Sequence, residues 1–137
     1  MVLGILQKYP PGMDEKQYQR IFPLNCPVIF NFHGYTAAIK QLIWERTQSN
    51  RFDINGYREE GNTTTPFDMQ VRNRTSRYHL VIQVAEKMAT NNIRVSARAE
   101  DLLRKYQEKL RQHRNFIQTE GIDPLEVSNW QWTNGKA

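Results

Sequence analysis

The chain has 137 residues, a net charge of +5, 39% hydrophobic residues and 24% charged residues. This length suits one domain with its own core, and the composition argues against a disordered chain. A single cysteine, Cys26, excludes an internal disulfide and favours a reducing compartment. No apolar run reaches the roughly 18 residues that cross a bilayer. We therefore expect a cytoplasmic protein with one domain over 1–137, in which 133–137 form a tail.

The first half of the chain predicts strands that alternate with helices. A short strand is predicted at 2–6, and Asp14 can cap the helix that follows the breaker at 10–12. The apolar run 27–32 is typical of a strand buried on both faces, and it ends at His33-Gly34-Tyr35. A helix over 36–46 follows, with the apolar stripe Ile39, Leu42, Ile43 and Trp44. The alternating apolar residues of 51–57 predict another strand.

The second half predicts helices with clear boundaries. Thr65 is an N-cap, Pro66 suits the first helical position, and Asp68 completes a capping box for a helix to about Arg74. Another helix is expected at 78–88, with Leu80, Val81, Val84 and Ala85 inward. The last and clearest helix, 96–117, has one apolar face formed by Ala99, Leu102, Leu103, Tyr106, Leu110, His113 and Ile117. Gly121 can end it in the left-handed conformation, and Trp130 and Trp132 anchor the following turn.

This order of elements predicts an α/β fold, a three-layer sandwich with a mainly parallel sheet. The predicted strands are few for a stable open sheet. The chain also begins within a crossover connection. We therefore expect a domain that is truncated at its N-terminus.

The sequence lacks the short motifs of an autonomous enzyme. It has no glycine-rich dinucleotide loop and no Walker A loop. Cys26 has no histidine beside it, and His33, His79 and His113 do not show metal-ligand spacing. We expect His79 to be structural and His113 to be a hydrogen-bonded core histidine. No catalytic, cofactor-binding or metal-binding residue is predicted.

Two segments carry polar groups at predicted strand ends, where ligands gather in open α/β sheets. One is 33–35, and the other is the loop 56–68, which leads into a helix N-terminus. The candidates for ligand binding or inter-domain contact are His33, Tyr35, Arg58, Glu59, Thr64 and Thr65. The alternative is that these residues bond the loops of their own domain, cap a helix and form an interface.

The same two segments resemble phosphoketolases. The residues concerned are Cys26 followed by Pro-Val-Ile-Phe-Asn-Phe-His-Gly-Tyr, Arg46-Thr47, Gly-Tyr-Arg-Glu-Glu-Gly from 56, Thr-Thr-Thr-Pro-Phe-Asp-Met at 63–69, Arg77 to Ile82, and Asp123-Pro124 with Trp130-Gln131-Trp132. The resemblance covers about 12–132, and it is far more specific than one short motif.

The resemblance implies a C-terminal domain similar to that of transketolase. Phosphoketolases use thiamine diphosphate and Mg²⁺ to cleave xylulose 5-phosphate, and often fructose 6-phosphate, with inorganic phosphate, forming acetyl phosphate and an aldose phosphate. In that family the cofactor and metal bind in the larger N-terminal domains, and this chain has no Gly-Asp-Gly metal signature. The resemblance therefore implies no cofactor in this chain, no activity alone, and the remaining phosphoketolase domains and a second copy as partners.

Three functions stay open at this point. The first is a supporting, oligomerising domain of a phosphoketolase, and the second is a regulatory module for phosphorylated metabolites. The third is a free-standing basic protein that binds RNA, since basic residues are concentrated over 94–114. We expect that basic segment to be a solvated helix face, and we expect neither nucleic acid nor membrane as a partner.

Overall fold

A computed structural model of the protein describes residues 12–44, 46–58, 63–91 and 96–131. The chain divides into two compact units: unit one is Met1–Glu59 and unit two is Glu60–Ala137. The predicted strand at 2–6 and the predicted tail at 133–137 lie outside the described residues. Among the described helices, none is both long and apolar enough to cross a membrane.

Unit one begins with helix α1 (Glu15–Ile21), whose start is fixed by Asp14 as predicted. The Asp14 carboxylate accepts the Gln17 N–H at 2.8 Å, and the Gln17 side chain accepts the Asp14 N–H at 3.3 Å. This reciprocal pair satisfies two N–H groups that a helix start otherwise leaves unpaired. The helix buries Tyr18 completely.

A parallel pair of strands follows α1. Strand β1 (Val28–Tyr35) leads directly into helix α2 (Thr36–Ile43), and a 3-10 turn (Ser49–Arg51) leads into strand β2 (Phe52–Tyr57). The two strands pair in parallel because α2 carries the chain back to the starting edge. The predicted α/β class with a parallel sheet is confirmed, and the sheet within the described residues has two strands.

The register of the two strands changes near their carboxyl ends. Asn31 is paired with Asn55, and the next pair is Tyr35 with Tyr57. Four steps along β1 therefore match two steps along β2, so β1 bulges at 32–34. A bulge increases local twist and redirects side chains. Here it lies in the segment 33–35, where the sequence predicts the strand to end.

Two arginines hold the segments around the core of unit one. Its buried apolar residues are Met13, Tyr18, Ile43 and Phe52. The buried Arg46 donates to the Met13 carbonyl at 2.7 Å and lies over the Tyr18 ring. Arg51 holds the turn after α1 by donating to the carbonyls of Phe22, Pro23 and Cys26. Each of these bonds satisfies a carbonyl that would otherwise need water.

Two predictions of burial in unit one are wrong. Strand β1 is not buried on both faces: Val28 to Phe30 are half-buried, whereas His33 and Tyr35 are exposed. An apolar run indicates burial only where neighbouring elements cover both faces, and β1 pairs with β2 alone in the described residues. In α2 only Ile43 is buried, and Trp44 is 77% exposed.

Unit two is helical in its described part. It contains α3 (Pro66–Arg72), α4 (Arg77–Asn91), α5 (Ser96–Glu120) and the short α6 (Leu125–Ser128). Helices α4 and α5 pack against each other as a hairpin. The predicted helices are confirmed, and so is the left-handed Gly121, whose φ is 69°.

The start of α3 confirms Thr65 as N-cap but not the predicted capping box. The Thr65 hydroxyl oxygen accepts the Asp68 N–H at 3.3 Å. The Asp68 carboxylate instead accepts from the Thr64 hydroxyl and from Arg72 Nε, each at 2.7 Å. Because Asp68 is buried, these bonds supply the partners that an internal charge requires.

The core of unit two is formed by Phe67, Val71 and Tyr78, with Tyr106, Leu110 and Val127 packed against it. The α5 face follows the prediction, but Val84 on α4 is 46% exposed. His113 is buried as expected, yet neither ring nitrogen has a hydrogen-bond partner among the residues that the structure describes. Its Nε2 lies 3.5 Å from Asp68 Oδ1, and its ring stands edge-on to Phe67. The prediction of a hydrogen-bonded core histidine is therefore wrong.

The close approach of the two strands at Gly56 gives a first prediction. A Cβ at Gly56 would collide with the backbone carbonyl of Gly34, which cannot move without displacing β1. A Cβ at Gly34 would meet only the Phe32 ring at 2.7 Å, and a ring can rotate. We expect Gly56→Ala to destabilise unit one by about 1–3 kcal/mol and Gly34→Ala to destabilise it less. Amide hydrogen exchange in β1 and β2 measures both, and equal effects would contradict the reasoning.

Candidate functional site

The candidate residues of unit one lie at the carboxyl end of the sheet. Because β1 and β2 are parallel, these ends share one edge, where the rings of Tyr35 and Tyr57 meet edge-on with centroids 5.4 Å apart. His33 is exposed within β1, and Arg58 is exposed directly after β2. The structure thus places Tyr35 at this edge, and Arg58 directly follows Tyr57, the last residue of β2. Glu59 lies outside the described residues.

Thr64 and Thr65, the candidates of unit two, are bonded within their own unit. The Thr64 hydroxyl donates to Asp68, as described above. The Thr65 hydroxyl donates to Asp123 Oδ1 at 2.6 Å, and the other oxygen of Asp123 accepts the Phe67 N–H at 3.3 Å. Asp123 therefore acts as an anion at the start of α3, where the helix dipole favours negative charge.

Beside this contact lies an open groove of about 1320 Å³, which we call the C-terminal groove. Its walls come from the start of α3, from α4 and α5, and from the segment 122–130, with Thr65, Arg77, Tyr78, Lys109, Asp123 and Glu126 among the residues that line it. Concave sites of this size commonly hold small molecules or peptide segments.

The guanidinium of Arg77 lies over three aromatic rings at the edge of the C-terminal groove. Its Cζ is 4.7 Å from the Phe67 centroid, 5.1 Å from the Tyr78 centroid and 4.7 Å from that of Trp130. A cation over an aromatic face is worth about 0.5–2 kcal/mol, depending on how far it is desolvated. Arg77 thereby holds the segment after α6 against the starts of α3 and α4.

A chain of polar contacts crosses the floor of the groove. The buried Tyr78 hydroxyl donates to Glu126 Oε1 at 2.8 Å, and Lys109 Nζ donates to the same carboxylate at 2.8 and 3.1 Å. Burial raises the pKa of Tyr78 to about 12, and the hydrogen bond to Glu126 adds to the shift. The hydrogen bond from Lys109 and that from Tyr78 hold the pKa of Glu126 below its usual value. The network is therefore an ionised carboxylate with two donors.

His79 forms a second polar cluster, outside the groove. Its Nδ1 lies 2.8 Å from the hydroxyl oxygen of Ser76, which is fully buried. Burial lowers the pKa of His79 to about 4, and the positive charges of Arg74 and Arg114 add to the shift. The imidazole is thus neutral at ordinary pH. The prediction that His79 is structural fits its bond to Ser76.

Sequence reasoning missed most residues of the C-terminal groove. Arg77 belongs to the segment 77–82 that carries the resemblance, but no role is predicted for it, and Glu126 lies 48 residues from Tyr78. The turn at 123–124 and Trp130 were recognised as an anchor, without their partners. The one available signal was the concentration of aromatic and charged residues after Gly121, and this signal does not identify the helices that they meet.

The described residues contain no group of three or more His, Cys, Asp or Glu side chains that could hold a metal ion. The anionic groups of the groove, Asp123 and Glu126, are separately bonded to protein donors. Neither forms a carboxylate pair of the kind that Mg²⁺ sites use.

The fold and the groove define an α/β domain whose described polar groups are bonded largely to one another. Residues 1–132 match the family model described as "XFP C-terminal domain". The chain is 37% identical over 133 residues to a probable phosphoketolase of Brucella abortus (strain 2308). The aligned region covers 97% of this chain and 16% of the relative.

Similar matches occur in other bacteria. The chain is 38% identical over 134 residues to a probable phosphoketolase of Pseudomonas putida strain F1, covering 98% of this chain and 16% of the relative. It is 36% identical over 132 residues to "probable phosphoketolase 2" of a Nostoc species, covering 96% of this chain and 16% of the relative. The chain belongs to the phosphoketolase C-terminal domain family, and it spans about a sixth of the length of these relatives.

The hydroxyl of Tyr78 gives a second prediction. Tyr78→Phe removes one donor from the Glu126 carboxylate while the ring and the Lys109 contact remain. We expect the free energy of unfolding of unit two to fall by about 1–2 kcal/mol, since the lost bond has a charged acceptor. Urea unfolding followed by circular dichroism measures the loss. Tyr106→Phe is the matched control, because the half-buried Tyr106 hydroxyl has no hydrogen-bond partner in the described residues; an equal loss there would contradict the assignment.

The neutral His79 gives a third prediction, on pH. An unfolded chain binds a proton at this imidazole below about pH 6.5, whereas the folded chain binds it only near pH 4. The contribution to stability is therefore complete above pH 6.5 and is lost as the pH falls towards 4. We expect His79→Gln to flatten the pH dependence of the unfolding free energy in that window. An unchanged slope in His79→Gln would refute the assignment.

Proposed function

We propose that this chain is a non-catalytic, supporting and oligomerising domain of a phosphoketolase. In this proposal the remaining domains of the polypeptide carry out the cleavage of xylulose 5-phosphate, or fructose 6-phosphate, with inorganic phosphate. The products are acetyl phosphate and an aldose phosphate. The partners of the chain are those domains and a second copy of the same polypeptide, and the location is the cytoplasm. Residues 1–137 act as one functional domain, with 133–137 as a tail.

The observation that carries this proposal is the internal bonding of the C-terminal groove. A catalytic group needs a reactive atom directed at the substrate. Here the carboxylate of Asp123 is used by Thr65 and Phe67, and that of Glu126 by Tyr78 and Lys109. These bonds join α3, α4 and α5 to the segment 122–130. Carboxylates that accept hydrogen bonds within their own domain stabilise a surface against which another domain can pack.

Thiamine diphosphate would supply the electron sink for carbon–carbon cleavage when it is bound to the larger enzyme. Within the described residues, no group of three or more His, Cys, Asp or Glu side chains could hold its Mg²⁺. We assign the cofactor and its metal to the remaining domains, and no step of the reaction is assigned to residues of this chain.

The proposal is tested in two proteins measured side by side. The isolated chain, supplied with thiamine diphosphate, Mg²⁺, xylulose 5-phosphate and phosphate, should form no acetyl phosphate. A chimera in which this chain replaces the matching segment of the Pseudomonas putida relative should form it, and the relative without that segment should lose turnover or oligomeric assembly. Acetyl phosphate formed by the isolated chain would overturn the non-catalytic role. Full turnover and assembly without the segment would overturn the supporting role.

We also propose that His33, Tyr35, Arg58 and Glu59 meet another domain or a regulatory ligand, and that Thr64 and Thr65 shape the neighbouring helix start. Support comes from the edge at which Tyr35 and Tyr57 meet, because parallel strands present ligand-binding loops there. Alanine at His33 and Tyr35 in the chimera should change assembly, regulation by ATP or turnover. Alanine at the exposed Lys40 is the control. If the His33→Ala and Tyr35→Ala variants both equal the parent in assembly, regulation by ATP and turnover, the contact role is wrong.

A further inference from the structure

The C-terminal groove continues along helix α4 as a stripe of exposed apolar side chains. Leu80 and Val81 line the groove itself. Val84 and Met88 follow Val81 at steps of three and four residues, so they lie on the same side of α4, about one and two turns farther on. Val84 is 46% exposed and Met88 is 41% exposed. We call Val81, Val84 and Met88 the α4 stripe.

The segment 122–130 adds exposed apolar side chains to another wall of the groove. Leu125 is 77% exposed and Ile122 is 61% exposed, although both line the groove. Trp130, whose ring contacts the Arg77 guanidinium, is still 43% exposed. Single exposed apolar residues are ordinary on protein surfaces, whereas a contiguous set around a groove is typical of an interaction site. The groove and the α4 stripe therefore form one apolar surface.

The edges of this apolar surface carry lysines. Lys87 lies seven residues, about two helical turns, after Leu80, which lines the groove. Lys105 lies four residues, about one turn, before Lys109, which also lines it. Both lysines are therefore on the groove side of their helices, whereas the two acids of the groove already accept hydrogen bonds within the unit. A partner that presents apolar side chains beside carboxylates fits both features of the surface.

We propose that the C-terminal groove and the α4 stripe are the docking surface for an apolar segment, flanked by acidic residues, of the remaining domains of the same polypeptide. This inference rests on the supporting role proposed above and identifies the surface that performs it. The aligned region covers 16% of the matched relatives, so in the proposed polypeptide most of the chain is tethered to this domain. Tethering raises the effective concentration of a segment to about the millimolar range, which favours it over a foreign protein. A second copy in a two-fold interface would bring its own Lys87 and Lys105 to the same edges, where like charges repel.

The test compares the isolated full chain with the chimera described above, by measuring how fast introduced cysteines react with a thiol reagent in peptide mass spectrometry. In Val84→Cys and in Leu125→Cys, the thiol should react at least about tenfold more slowly in the chimera, because a docked segment leaves it accessible only through local opening. Gln107→Cys is the matched control, since Gln107 is exposed and lies two residues from Lys109, on the opposite side of α5. It should react equally fast in both proteins. All three positions are exposed, so each variant should keep the parent's thermal unfolding curve, which separates loss of cover from loss of fold.

Two outcomes of this comparison overturn the docking surface. Equal reaction rates of Val84→Cys in the chimera and in the isolated chain would do so even if the chimera turned over and assembled normally, and the supporting role would then stand. A reaction in the isolated chain that slows as the protein concentration rises would make a second copy the occupant. The supporting role fails separately, if the relative without the segment keeps full turnover and assembly.

The charge of the docked segment is tested by Lys105→Gln in the Val84→Cys chimera. Removing an attraction between Lys105 and an acidic group of the partner should raise the reaction rate about twofold to fivefold, the effect of one exposed charge pair. Gln107→Glu is the control, because it also lowers the charge of α5 by one but on the side away from the groove, and it should leave the rate unchanged. An unchanged rate in Lys105→Gln, or an equal rise in both variants, would refute the acidic character of the partner.

Discussion

The contacts of the Arg77 guanidinium connect the separate segments of unit two. Its three aromatic neighbours belong to α3, to α4 and to the segment after α6. Phe67 and Tyr78 are also core residues, and Tyr78 continues into the contact with Glu126 and Lys109. Arg77 thus connects three of the segments that form the walls of the C-terminal groove, beside the polar network of Tyr78, Glu126 and Lys109. A lysine could replace the charge but not the planar stacking.

Much of the local structure could be predicted from the sequence, because it rests on contacts within a few residues. Asp14 and Thr65 as N-caps, Gly121 as the left-handed helix end and the apolar face of α5 each depend on spacing of this kind. The class of the fold followed from the order of strands and helices. These features involve the backbone and its nearest side chains, and a single sequence records them directly.

The features that were missed depend on residues that are distant in sequence. Burial of β1 depends on what covers each face of the strand, which the run 27–32 does not record. The bond between Thr65 and Asp123 joins positions 58 residues apart. The Asp68 carboxylate accepts hydrogen bonds from Thr64 and Arg72 and does not complete the predicted capping box. For the same reason, His33 and Tyr35 could be selected as candidates from their place at the end of a predicted strand, while Arg77 could not. The three aromatic rings around Arg77 come together only when the helices pack.

The bond between Thr65 and Asp123 also has a consequence for the order of events during synthesis. At roughly 5–20 residues per second, a ribosome adds the intervening 58 residues in about 3–12 s. Until Asp123 is added, the start of α3 lacks its acidic partner, and the Phe67 N–H lacks the acceptor that Asp123 later provides. Helix α5 ends at Glu120, only three residues before Asp123. The α4–α5 hairpin, which is built from local contacts and can form within microseconds to milliseconds, and the acidic partner of α3 therefore become available almost together.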